Sequence, residues 1–282
     1  MPGVGETLTF TIGDARLTRV PYFDIALPAE AVGLTAADVL AVDGVAPDWC
    51  EPDGTVRVGQ VFWVIESDGR TIVVDPCCAS DAFLRTPEAA VEHQTAAFAA
   101  LTDAGFPRES VDAVIMSHLD GIGMHAWWTD DGAWENAFPD APLLVSAPEV
   151  ARIDASADIL GRDAFAALRE QGAVGAVDLP YAVTTDVRMV PAGGHTDGMA
   201  VVEVASGGRR ALFTGHVPIN PVHAGVALRP ELVDVRTDRP VIERWAADAA
   251  SDDALYIAPL WPAPGAARVS SLDPIRFTPA WS

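Results

Sequence analysis

The chain has 282 residues, half of them hydrophobic, with 18 basic residues against 40 acidic ones and a net charge of −22. That composition supplies a core for a globular fold, while so acidic a surface repels phosphate backbones and anionic membranes, which excludes nucleic acid and membrane as natural partners. Every one of the 18 basic residues is arginine, so a Schiff base formed from a lysine amine is excluded too.

The N-terminus lacks a basic segment followed by an apolar stretch, and no apolar run approaches the ~18 residues that cross a bilayer. A cytoplasmic location is the default expectation. Three cysteines, Cys50, Cys77 and Cys78, make an odd count without a spaced framework, which suits a reducing compartment. The Cys77-Cys78 pair follows a short strand and Asp75-Pro76, where a packing or turn role is expected.

In chain order, Leu8 to Ile12, Val56 to Ile65 and Thr71 to Val74 are β-rich runs, and Ser67-Asp68-Gly69 joins the last two as a hairpin turn. The first third is therefore expected to be antiparallel sheet. An Ala-rich helix should open at Pro87 with Thr86 as N-cap and close at Gly105. From there the pattern alternates. Strands are expected at Ala113 to Met116, Leu143 to Ser146, Val187 to Val190, Met199 to Val204, Ala211 to Thr214 and Leu255 to Ala258. Helices are expected near Pro148 to Ile159, Asp163 to Gln171 and Pro240 to Ala250. Without repeats or a flexible linker, one α/β domain over 1–282 is the simplest organisation.

The chemistry-bearing residues gather at strand ends. Val114-Ile115-Met116-Ser117-His118-Leu119-Asp120 reads as a buried strand delivering an imidazole at its C-terminal tip, where α/β proteins place ligands and catalysts. Gly193-Gly194-His195-Thr196-Asp197-Gly198 lies between two strands, and Phe213-Thr214-Gly215-His216 ends another. Three imidazoles and one carboxylate make a complete ligand set for a first-row metal.

These blocks, with Thr71-Ile72-Val73-Val74-Asp75 after a hairpin and the late Ile257-Ala258-Pro259, resemble the metallo-β-lactamase fold superfamily, and within it the branch typified by N-acyl homoserine lactonases. The resemblance covers roughly Val56 to Pro264 and implies a four-layer αββα sandwich with its site along one edge of two sheets. It also implies a substrate-covering insertion near 147–179. The family's His-x-His-x-Asp-His motif falls here on His118, Asp120, Ile122 and Gly123, its bridging Asp on His216, and its last His near Leu260-Trp261. The first-metal pocket so transferred contains His118, Asp120, His195 and His216, whereas the second-metal pocket has lost its ligands. One metal ion per chain is the expectation.

With zinc, such a site implies hydrolysis of an ester, lactone or thioester through a metal-activated water. With iron, His118, Asp120 and His195 form a two-histidine, one-carboxylate set of the kind oxygenases use. Zinc is preferred over iron. A metal-free alternative stays open, in which the same polar residues act as acid and base in a cyclase of natural-product metabolism, as does a non-catalytic binding protein. Asp120 and His216 are the candidate catalytic groups, with His125 if the loop brings it near. Trp127, Trp128 and Trp261 are the candidate substrate contacts, with core packing as the alternative for each. The expected partner is a small apolar or aromatic molecule, and a homo-oligomer stays open.

Overall fold

The computed structural model describes residues 5–76, 87–119, 125–155, 161–225 and 235–281. The positions of Cys77, Cys78, Thr86, Asp120, Ile122 and Gly123, and the end of the helix expected to run to Ile159, lie outside these residues.

Two seven-stranded sheets form the body. The first is built from β1 (Leu8–Ile12), β2 (Ala15–Leu27), β3 (Val56–Ser67), β4 (Arg70–Val74), β5 (Ala113–Ile115), β8 (Leu143–Ser146) and β9 (Val174–Val177), in that spatial order. The second runs β10 (Tyr181–Ala182), β11 (Val187–Pro191), β12 (Ala200–Ser206), β13 (Arg209–Phe213), β14 (Leu255–Ile257), β15 (Ala266–Leu272) and β16 (Ile275–Pro279). A small separate hairpin pairs β6 (Ala126–Trp128) with β7 (Trp134–Asn136).

The first four strands are antiparallel, as the hairpin turn at Asp68-Gly69 requires, and β4, β5, β8 and β9 are parallel. Parallel neighbours need a crossover. Between β4 and β5 it contains α2 (Pro87–Asp103), which ends at Gly105 in the left-handed region (φ 95°) with Phe106 N donating to Leu101 O at 3.0 Å. In the second sheet the one parallel pair is β13 with β14, and its crossover contains α6 (Val235–Ser251).

Three apolar layers follow. Between the sheets, Ile12, Leu17, Trp63, Ile72 and Ile115 of the first pack on Met189, Val202, Phe213 and Ile257 of the second. Trp63 meets Phe213 edge to face at 5.5 Å, a geometry that adds about 1 kcal/mol beyond area burial. On the outer face of the first sheet, Phe62, Val64 and Val73 are covered by Ala97, Phe98 and Leu101 of α2 and by Phe165 and Leu168 of α4 (Arg162–Glu170). On the outer face of the second, Val201, Leu212 and Tyr256 are covered by Val241, Ile242, Trp245 and Ala249 of α6. Strands covered on both faces read as near-continuous apolar runs, which is why Val61–Ile65 of β3 and the apolar stretches of β12 and β13 are visible in the sequence. The layers are helix, sheet, sheet, helix, as the resemblance implied.

Several elements depart from expectation. The long strand β2 contains the buried Arg19 and Pro21, with a register shift between Pro21 and Phe23 opposite β3, so it shows no clean alternation. The short helix α1 (Ala36–Leu40) is set by a capping box, Thr35 Oγ1 accepting from Asp38 N while Asp38 accepts from Thr35 N. Helix α6 begins at Val235 rather than Pro240, which lies inside it. No helix among the described residues is long and apolar enough to cross a membrane.

Candidate metal centre

Three loops at one edge of the two sheets converge. His118 follows β5 of the first sheet, His195 sits in the turn between β11 and β12, and His216 follows β13. One ligand atom from each of these three imidazoles lies within 4.8 Å of the others. Their ring centroids are 4.8 Å (His118 to His195), 4.4 Å (His118 to His216) and 4.9 Å (His195 to His216) apart, each pair nearly perpendicular.

Local backbone geometry aims each ring. His195 itself adopts φ 66°, inside a tight bridge between Gly194 and Thr196. Gly215 precedes His216 at φ 60°, and a Cβ there would stand 2.7 Å from Ser117 Oγ and 2.9 Å from Met199 Cε. Only glycine permits both that dihedral and that approach. Ala200 N donates to Ser117 O at 2.8 Å, tying the His118 turn to the opposite sheet.

Partners at Nδ1 fix two of the rings. His118 Nδ1 is 2.9 Å from Ser117 Oγ, and His195 Nδ1 is 2.7 Å from Asp238 Oδ1. Imidazoles that ligate metals are oriented this way, with the second nitrogen held by a carboxylate or another polar group. Asp75 stands behind His118, 3% exposed, and accepts from Ser117 N at 2.6 Å. Burial pushes its carboxyl up, against the opposing pull of His118 and the Ser117 hydrogen bonds.

Glu149, in the first turn of α3 (Ala147–Ala155), is fully buried and joins the turns after His118 and His195: Leu119 N donates to Oε1 at 3.0 Å and Thr196 Oγ1 to Oε2 at 2.7 Å. Neither Asp238 nor Glu149 was singled out in the sequence. The other candidates have packing partners or burial of their own. His125 is 2% exposed, its Nδ1 has no hydrogen-bond partner, and burial pushes its pKa down to about 4. It is not a member of the histidine trio.

Trp127 packs on Phe98 at 5.7 Å and under the Arg108 guanidinium at 5.2 Å, and Trp128 packs on Trp134 at 4.9 Å. Trp261 is 0% exposed. It stacks on Tyr256 at 5.5 Å, meets Trp49 and Phe277, and donates from Nε1 to Pro218 O at 2.9 Å. An apolar, fully packed indole thus occupies the chain position where the family's last histidine was expected.

The donor set fits a metal ion. Three imidazoles, His118 buried and the other two half-buried, two of them with their Nδ1 atoms engaged, are the ligand types zinc and other first-row metals take.

No protein-family model matches the chain, and no curated protein matches its sequence. Solved structures do. AidC, a dizinc quorum-quenching lactonase in complex with the product N-hexanoyl-L-homoserine, is similar with a TM-score of 0.74 at 16% identity, over 98% of both chains. The hydrolase AbOPH of the beta lactamase superfamily gives 0.69 at 17% identity over 99% of both. A probable metal-dependent hydrolase from Staphylococcus aureus gives 0.70 at 15% identity, over 96% of this chain and 98% of that one.

Proposed function

We propose that this chain, whose fold is that of the metallo-β-lactamase superfamily, is a hydrolase that holds one metal ion on His118, His195 and His216. The observation that carries the reading is the trio itself, three ligand atoms within 4.8 Å of one another on loops from both sheets. The similar folds described as metal-dependent hydrolases and lactonases support it. Asp120, two residues beyond His118, is the proposed carboxylate of the set. The buried Trp261 stands against a second ion at the position of the family's last histidine.

A divalent ion there would supply Lewis-acid polarisation of a carbonyl and lower the pKa of a water towards about 7. The protein's own part is orientation. Asp238 holds His195 and Ser117 holds His118, so the rings present fixed nitrogens and lose little freedom on binding. Zinc is the proposed metal. The proposed substrates are small esters, lactones or thioesters with an apolar or aromatic portion.

The carboxylate–imidazole contact between Asp238 and His195 favours one alternative, a metal-free enzyme in which that pair moves protons. Elemental analysis separates the two. Protein purified without added metal or chelator should carry close to one zinc per chain, and His118→Ala and His216→Ala should each lose it. Metal at background in the parent protein overturns the metal reading and leaves the acid–base one, and two tightly bound ions per chain overturn the mononuclear one.

A further inference from the structure

Two of the three ligand loops hang from opposite sheets, and one side chain spans them. Glu149 places Oε1 on the amide of Leu119, the residue after His118, and Oε2 on the hydroxyl of Thr196, the residue after His195. Arg152, one turn along α3, donates from Nε to Glu149 Oε1 at 3.0 Å and from Nη2 to Leu119 O at 2.6 Å. Ser146, the last residue of β8, donates to Gly198 O at 2.5 Å and accepts from Glu149 N at 3.2 Å. Gly198 lies so close that a Cβ on it would stand 2.2 Å from Glu149 N.

A carboxylate is suited to this place. It offers acceptors on both oxygens, whereas an amide at the same position offers one oxygen and one donor. Bonds to an ionised acceptor are short and about twice as strong as neutral ones, so they resist the slide of one loop against the other. The Arg152 guanidinium compensates the buried charge, which would otherwise be costly.

We infer that Glu149 is a positioning residue for the metal centre: it touches no ligand atom of the trio but sets the spacing and orientation of His118 relative to His195. The inference rests on the metal reading proposed above. It makes the N-terminal turn of α3 part of the centre's support, outside the three ligand loops themselves.

The test compares Glu149→Gln and Thr196→Val with the parent protein and with His118→Ala. Zinc affinity is read by competition with a chelator, and site geometry by the visible spectrum of the cobalt(II)-loaded protein. The metal-free unfolding midpoint serves as a structural control. Thr196→Val deletes a single arm of the brace and keeps the test alive if Glu149→Gln does not fold. Expected are a zinc affinity lowered by about 10- to 100-fold and an altered cobalt spectrum in both variants, with the metal-free midpoint of Thr196→Val close to the parent's. Parental affinity and spectrum in both variants, with binding lost in His118→Ala, would overturn the positioning role and leave the metal centre standing. Failure of the parent to bind zinc better than His118→Ala would overturn the centre and the positioning role together.

Discussion

His125 is a buried imidazole whose ionisation the fold suppresses. Its pKa falls to about 4 because the charged form is desolvated, while in an unfolded chain it lies near 6.5. The unfolded state therefore binds the extra proton between those values. Its contribution to stability is complete above pH 6.5 and is lost as pH falls towards 4, by about 1.4 kcal/mol per pH unit for one proton. His223, buried and lowered by the same cause, acts in the same direction, and Asp75, raised by burial, acts in the opposite one. Urea midpoints between pH 7 and pH 5 should fall less steeply in His125→Leu than in the parent. Equal slopes would show that His125 does not carry that proton. At this scale the sequence is informative about the candidate ligands and silent about their supports. His118, His195 and His216 were legible because each stands in a glycine- or serine-marked turn at the end of an apolar run. Asp238 was not, because Pro240 reads as a first helical residue and hides the turn of α6 before it. Glu149 looks like any acidic residue in a first helical turn until its neighbours are known.

Among the elements, a very close approach lies where the loop after His195 meets α3. Gly198 to Ala would drive a Cβ to 2.2 Å from Glu149 N and 2.6 Å from its Cα, both backbone atoms that cannot step aside. The expected cost is over ~2 kcal/mol, well above that of a compatible Gly→Ala change, read as a lowered urea midpoint with an unchanged slope. Gly44, at φ 79° with open space around it, is the control for dihedral strain alone. A Gly198→Ala midpoint no lower than that of Gly44→Ala would contradict the packing argument. The expected strands at Leu143–Ser146 and Val187 onwards, and the helices from Pro87 and near Asp163, agree with the structure within a residue or two, because Leu143–Ser146 is buried throughout, Val187 and Met189 alternate inward, and each helix carries an apolar stripe. Strand β2 was missed for the opposite reason, since a buried arginine and a proline interrupt its pattern. The last hairpin, β15 with β16, mixes polar Ser270 and Thr278 with apolar Leu272 on its exposed positions, and so short and irregular an alternation gives no signal strong enough to read.

For the molecule as a whole, the division between sheets is also a division of the chain. Every strand of the first sheet lies before residue 178 and every strand of the second after residue 180. The segment around Asp178 and Leu179 is thus a seam that no strand pairing crosses. The trio crosses it, with His118 on one side and His195 and His216 on the other. Were the backbone cut there, each half would keep its own ladder, and the proposed ion would become a clasp between two separate polypeptides. Whatever binds only the joined form favours joining by RT ln(1 + [L]/Kd). Halves expressed as two chains should therefore associate more tightly when zinc is added, and His216→Ala in the second half should abolish that gain while leaving the apolar contact between the sheets in place. The proposed coordination chemistry is in this sense a latent means of reassembly.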